Sequence, residues 1–154
     1  MSAGMHMSCP LCLTSASASA PSGEEVLIWR GPQLRLIRVR EPGFAAFYRI
    51  VWNAHIAEFS DLTDTQRQHC MQAVVWVEEA LRQHLAPTKI NLASLGNMVA
   101  HLHWHIIARF DWDSHFPAPI WAPPQRPRAL AQESALAQQL PALDAALRQR
   151  FEQG

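Results

Sequence analysis

Polar and apolar side chains alternate over His101-Leu102-His103-Trp104-His105, which runs into the apolar pair Ile106-Ile107. A strand sends successive side chains to opposite faces, so this segment puts three imidazoles on one face and Leu102, Trp104 and Ile106 on the other. Residues 26–29 and 34–39 flank Gly31-Pro32 and predict a hairpin; Pro42-Gly43 marks a turn, and the apolar run 47–52 predicts a central strand. The period then changes. Cys70, Val74, Val77 and Leu81 recur at helical spacing, with Ala73 and Ala80 among them. Ahead of them Thr63 and Gln66 form a capping-box pair, with Leu62 in the staple position. This pattern predicts an amphipathic helix from 64 to about 85, ended by Pro87. Strands follow over 89–92 and 101–108, joined by a short turn through Gly96. Five prolines in 117–127 predict extended coil, and 129–151, rich in helix formers interrupted at Pro141, predicts a C-terminal helix or helix pair. Strand and helix do not alternate regularly, so the prediction is an α+β fold, an antiparallel sheet covered by a helix.

The 154 residues suffice for one domain with a sizeable core, and 49% of them are hydrophobic. Thirteen basic residues balance thirteen acidic ones, which argues against a general nucleic-acid or membrane-surface binder. Residues 1–8 lack the basic and apolar regions of a secretory signal, and no apolar run approaches the ~20 residues that cross a bilayer. A cytoplasmic location is expected. Three cysteines, Cys9, Cys12 and Cys70, make an odd count that speaks against a disulfide scaffold, and Cys70 falls on the apolar side of the helix. The expected organisation is a CxxC arm and flexible Ser/Ala-rich connector over 1–23, the main domain over 24–116, and a Pro-rich segment with a C-terminal helix over 117–154.

A core has no use for three stacked imidazoles, because each ring has two nitrogens that need partners when buried. The pattern points to a site for an anion, a metal or a reacting phosphate. Cys9-x-x-Cys12 leaves three readings open: a chance pair of thiols, a redox dithiol, or one half of a four-ligand zinc site. A redox dithiol would want a strand before it and a helix after it, and the sequence predicts neither.

Residues 91–107, with Asn91, the Gly96-Asn97 pair and the three alternating histidines, resemble the signature of the histidine triad (HIT) superfamily. The resemblance extends back through Trp52-Asn53-Ala54-His55 and Asp61-Leu62-Thr63 and covers roughly residues 26 to 110. It implies a HIT-like fold, a homodimer, and hydrolysis or transfer at the α-phosphate of a nucleoside phosphate, phosphoramidate or dinucleotide. His103 would be the nucleophile that carries the nucleotidyl group, His105 would contact a non-bridging phosphate oxygen, and Asn91 and Asn97 would bind substrate. No catalytic metal is implied. A structural zinc is, held by Cys9, Cys12, His55 and His101, which would steady the strand that presents His103.

Three positions depart from the pattern. Asn97 replaces the commoner Gln, Met98 stands where many members have a phosphate-contacting hydroxyl, and Phe47 replaces a further histidine. The last change is expected to remove a hydrogen-bond partner that orients the triad. These departures support the alternative of a nucleotide-binding regulatory protein with little or no turnover. A catalytic metal held by all three histidines is the weakest reading, since neighbouring positions on a flat face converge poorly on one ion. Of the other histidines, His6 falls in the N-terminal start, His69 and His84 are expected to be exposed, and His115 is read as a solvated loop residue. Trp104 is expected to pack opposite the triad, and Trp121 is a candidate for substrate or partner contact near the site mouth.

Overall fold

The hairpin around Gly31-Pro32 opens a single five-stranded antiparallel sheet in the computed structural model, which describes residues 8–15 and 24–154. His6 and residues 16–23 of the expected connector lie outside the described residues. The strands are β1 (Glu25–Arg30), β2 (Leu34–Val39), β3 (Phe47–Trp52), β4 (Lys89–Ala93) and β5 (His103–Arg109), in the order β1-β2-β3-β5-β4. Gly31 is required at the hairpin: a Cβ there would collide with the indole of Trp29. The helices are α1 (Pro10–Ser15), α2 (Asp64–Leu85), α3 (Leu130–Ala137) and α4 (Leu140–Gln153).

Helix α2 begins where its sequence signals say. Thr63 Oγ1 accepts from the Gln66 amide at 3.3 Å, and Gln66 Oε1 accepts from the Thr63 amide at 2.9 Å, which satisfies two orphan donors of the first turn. It ends at Ala86 in the left-handed region (φ 45°), ahead of Pro87. The buried stripe Cys70, Ala73, Val74, Val77, Leu81 and Leu85 lies against the sheet face formed by Leu34, Leu36, Tyr48, Ile50, Ile106 and Ala108. Each such Leu or Ile contributes about 1.5–3 kcal/mol by leaving water. Helix α4 adds Leu143, Leu147 and Phe151 to the same core. A polar clasp ties it to the strands: Asp144 accepts from Tyr48 Oη at 2.7 Å and from Arg38 Nη2 at 2.9 Å. Burial first, then the Asp144 carboxylate, pushes the Tyr48 phenol well above its ordinary value.

Three expectations need correction. Strand β5 begins at His103, so His101 is the last residue but one of an irregular connection that is longer than a short turn. Residues 117–127 are folded into turns instead of extended, with Ala118 N bonded to His115 O at 2.7 Å and Ala122 N to Pro119 O at 3.0 Å. The C-terminal helix formers make a helix pair, as expected: the break falls at 138–139, and Pro141 sits in the first turn of α4, where its missing N–H costs nothing. A six-residue helix, α1, starts within the CxxC motif, where none was expected.

Candidate active site and metal centre

The sheet face turned away from α2 and α4 carries His103 and His105. Register sets His103 opposite Val51 and His105 opposite Arg49, with Phe47 opposite Ile107 in the next row. His103 and His105 are both buried, with ring centroids 4.8 Å apart at 76°. His103 Nδ1 lies 2.6 Å from the His101 carbonyl oxygen. A carbonyl only accepts, so Nδ1 carries the proton and Nε2 keeps its lone pair. Burial pushes His103 below the ordinary histidine value and Arg49 adds to this, although the bond to His101 opposes it. Burial, then Arg49 and His103, pushes His105 down to about 3. Both rings are therefore neutral near pH 7.

Aromatic groups frame the pair. Phe47 stacks on His105 at 5.5 Å and 28°, and Trp121, 55% exposed, meets the same ring edge-on at 5.4 Å. Arg49 lies over the Phe47 ring at 5.3 Å and donates from Nε to His105 Nδ1 at 3.4 Å. Beside Trp121 a cleft of about 540 Å³ runs along β4, lined by Lys89, Asn91, Leu92, Ala93 and Pro119. A buried ion pair anchors the segment that leads to Trp121. Arg109 donates to Asp113 at 2.8 and 3.0 Å, to Asn91 Oδ1 at 2.8 Å and to the Ala118 carbonyl at 2.8 Å. Arg126 closes the loop by donating to the carbonyls of Asp113 and Phe116.

A second cluster sits at the start of β5. Cys9, Cys12, His55 and His101 each offer one ligand atom, and all four atoms lie within 4.8 Å of one another. His101 Nδ1 is 3.5 Å from both sulfurs, and His55 Nδ1 is 3.3 Å from Cys12 Sγ. Tetrahedral zinc, with Zn–S about 2.3 Å and Zn–N about 2.0–2.1 Å, requires sulfur–nitrogen edges of about 3.6 Å. The donor set fits in type, number and spacing. His101 Nε2 donates to the Trp52 carbonyl at 2.6 Å, so its Nδ1 is the unprotonated, ligating atom. The arm that brings the cysteines has further anchors: Leu11 is buried against Ile37 and Val51, and buried Arg35 donates to the Leu11 carbonyl at 2.6 Å.

Residues 22–112, well over half of the chain, match the profile of the HIT domain. The chain belongs to the HIT family. Among solved HIT structures, a histidine triad protein from Bradyrhizobium japonicum is 26% identical with TM-score 0.64, over 83% of this chain and 91% of that one. One from Marinobacter aquaeolei VT8 is 24% identical with TM-score 0.63, over 82% and 93%. A Zn-bound histidine triad family protein from Mycobacterium smegmatis is 17% identical with TM-score 0.65, over 96% and 99%. No curated protein is a match for the chain.

The HIT signature residues thus divide between two places. His103 and His105 share one face, whereas His101 turns to the cysteine cluster with His55, so the three imidazoles do not line up as the alternation predicted. Asn91 stands on β4, bonded to Arg109; Asn97 is exposed on the connecting loop, and the neighbouring Met98 is 98% exposed. His115 is half-buried rather than solvated, 2.8 Å from Ser114 Oγ and edge-on to Phe44. His84 is exposed as expected, but His69 is half-buried. Trp104 packs opposite the triad, against Phe59. Sequence reasoning missed Arg49, Arg109 and Asp113. Arg49 lies two residues from Phe47 on a strand and so had to share its face, but only the register could put it against His105.

Proposed function

We propose that this HIT protein hydrolyses or transfers at the α-phosphate of a nucleoside phosphate or phosphoramidate, with His103 as the nucleophile. One observation carries the reading: the neutral His103 ring is held with Nδ1–H on the His101 carbonyl and Nε2 unprotonated. Nε2 forms the N–P bond as the bond from phosphorus to the leaving group breaks; the leaving group departs with that electron pair and takes a proton from solvent, giving a nucleotidyl-His103. Water, or another acceptor, then attacks phosphorus, releases the nucleotide and restores the ring, and the acceptor's proton passes to solvent. His105 contacts a non-bridging oxygen as charge builds up. Asn91, and Asn97 from its loop, bind substrate, and Trp121 lines the mouth.

Cys9, Cys12, His55 and His101 hold a structural zinc, a reading supported by the edge lengths of the cluster and by the Zn-bound mycobacterial HIT structure. Zinc supplies a closed cross-link and no chemistry at phosphorus. A homodimer and a cytoplasmic location complete the proposal; no helix of the described residues is long and apolar enough to cross a membrane. The exposure of Asn97 and Met98 favours a second reading, nucleotide binding with negligible turnover. An adenosine phosphoramidate assay separates the two. His103→Ala is expected to abolish turnover, and acid quenching is expected to trap the nucleotide on His103 by mass spectrometry. Turnover at the wild-type rate in His103→Ala, or nucleotide trapped on another residue, would overturn the assignment. A wild-type protein that binds nucleotide without hydrolysing it would establish the second reading.

A further inference from the structure

Two adjacent imidazoles on one strand face are chemically equivalent unless something outside them tells them apart. His103 is settled by the His101 carbonyl. On the reading that His103 is the nucleophile, we infer that Arg49 is the positioning residue that gives His105 the opposite tautomer, with Nδ1 unprotonated and Nε2–H presented to the phosphate.

The inference rests on donor chemistry. A guanidinium has five N–H donors and no acceptor, so the contact from Arg49 Nε to His105 Nδ1 at 3.4 Å has one possible polarity. A neutral imidazole that accepts on Nδ1 carries its proton on Nε2. His103 and His105 then stand 4.8 Å apart as lone pair and donor, the two functions that attack at phosphorus and stabilisation of its oxygens require.

Arg49 is itself held in place for this. β-register puts it directly opposite His105, Phe47 lies beneath its guanidinium at 5.3 Å, and Glu25 Oε1 on β1 is 3.8 Å from its Nη1. Phe47 also stacks on His105, so one ring supports both members of the hydrogen bond. The arrangement accounts for a phenylalanine at that position: the orienting bond comes from two residues further along the strand.

Long-range nitrogen–proton correlation spectra of the full-length, zinc-loaded protein with labelled histidine read the tautomer directly and do not depend on activity. At pH 7 His105 is expected in the Nε2–H form with an unprotonated Nδ1 resonance, and His103 in the Nδ1–H form. In Arg49→Met the His105 signals are expected to move to a tautomer mixture. In the same variant kcat is expected to fall by about a hundred- to a thousandfold, as for loss of one oriented donor, with KM nearly unchanged. Arg49→Lys, which keeps a donor, is expected to recover part of both readouts. An Nδ1–H His105 in the wild type, or an unshifted tautomer in a folded Arg49→Met, refutes the role of Arg49. If Arg49→Met does not fold, the wild-type tautomer still decides. An inactive protein with the expected tautomers would refute the function proposed above and leave the role of Arg49 in orienting the ring intact.

Discussion

Replacing Asp113 by Asn tests whether the buried ion pair with Arg109 holds the Trp121 loop over the site. Asp113 is 3% exposed and accepts from Arg109 Nε and Nη2, and from the backbone amides of Phe110, His115 and Phe116 at 3.2, 2.9 and 2.7 Å. Asn keeps the shape but offers one acceptor oxygen instead of two, and it turns N–H donors toward a buried guanidinium. Breaking one partner of a buried pair costs about 3–5 kcal/mol, because the remaining charge stays desolvated. For a chain of this length that lowers the melting temperature by about 6–20 °C, at roughly 2–4 °C per kcal/mol. The sign of the pH dependence follows. Burial alone would raise the Asp113 carboxyl, but the bonds from Arg109, His115 and Phe110 outweigh it and hold it below its ordinary value. Its contribution is therefore fully present above the unfolded value of about 3.9 and is lost as pH falls through the lower folded value. Thermal melts of both proteins from pH 7 to pH 2.5 check this: the gap is expected to be wide at pH 7 and to narrow steeply below pH 4. A variant within 1 °C of wild type at pH 7, or a gap that does not change with pH, would refute the reasoning.

Three further outcomes follow from the site. Phe47→His is expected not to raise the turnover rate, since Arg49 already occupies His105 Nδ1; a rise in rate would mean that the triad lacks an orienting partner. Purified protein is expected to hold one zinc per chain, and Cys9→Ser to lose it and melt at a lower temperature while the arm stays partly docked through Leu11 and Arg35. Metal analysis well below one equivalent after reduction and zinc reconstitution would leave the CxxC without its metal role. Trp121→Ala is expected to raise KM several-fold with little change in melting temperature, because the indole is half-exposed and meets the site through one edge contact; an unchanged KM would place substrate elsewhere.

What could be read from the chain was what period and local chemistry determine. The capping pair Thr63–Gln66 and Pro87 bounded α2, and the alternation from His103 to Ile107 marked β5, because those signals act within a turn or a strand. His101 escaped the same logic. Its alternating position placed it with the other two histidines, but the backbone leaves strand geometry there and its ring meets Cys9 and Cys12, some 90 residues away in sequence. Long-range partners were out of reach for the same reason. Arg49, Arg109 and Asp113 look like ordinary surface charges in sequence, and only strand register and the fold of 111–128 bring them inside. Phe47 was read as a lost partner position by position, whereas Arg49 on the same strand face donates to His105, a contact no single-position comparison reveals.

His101 joins the cluster to His103 in an unusual way. Its ring belongs to the cysteines and to Trp52, but what it gives His103 is a peptide oxygen. That link has no side chain to mutate. Replacing His101 would strip the cluster of a ligand yet leave the carbonyl in the chain, so such a variant reports where the peptide plane points and never whether the acceptor exists. Damage to the cluster should therefore show as a graded misalignment of His103, and its severity should track how far residue 101 drifts. An activity that recovers on cooling or crowding, which restrain the backbone without restoring the ligand, is the behaviour this wiring implies.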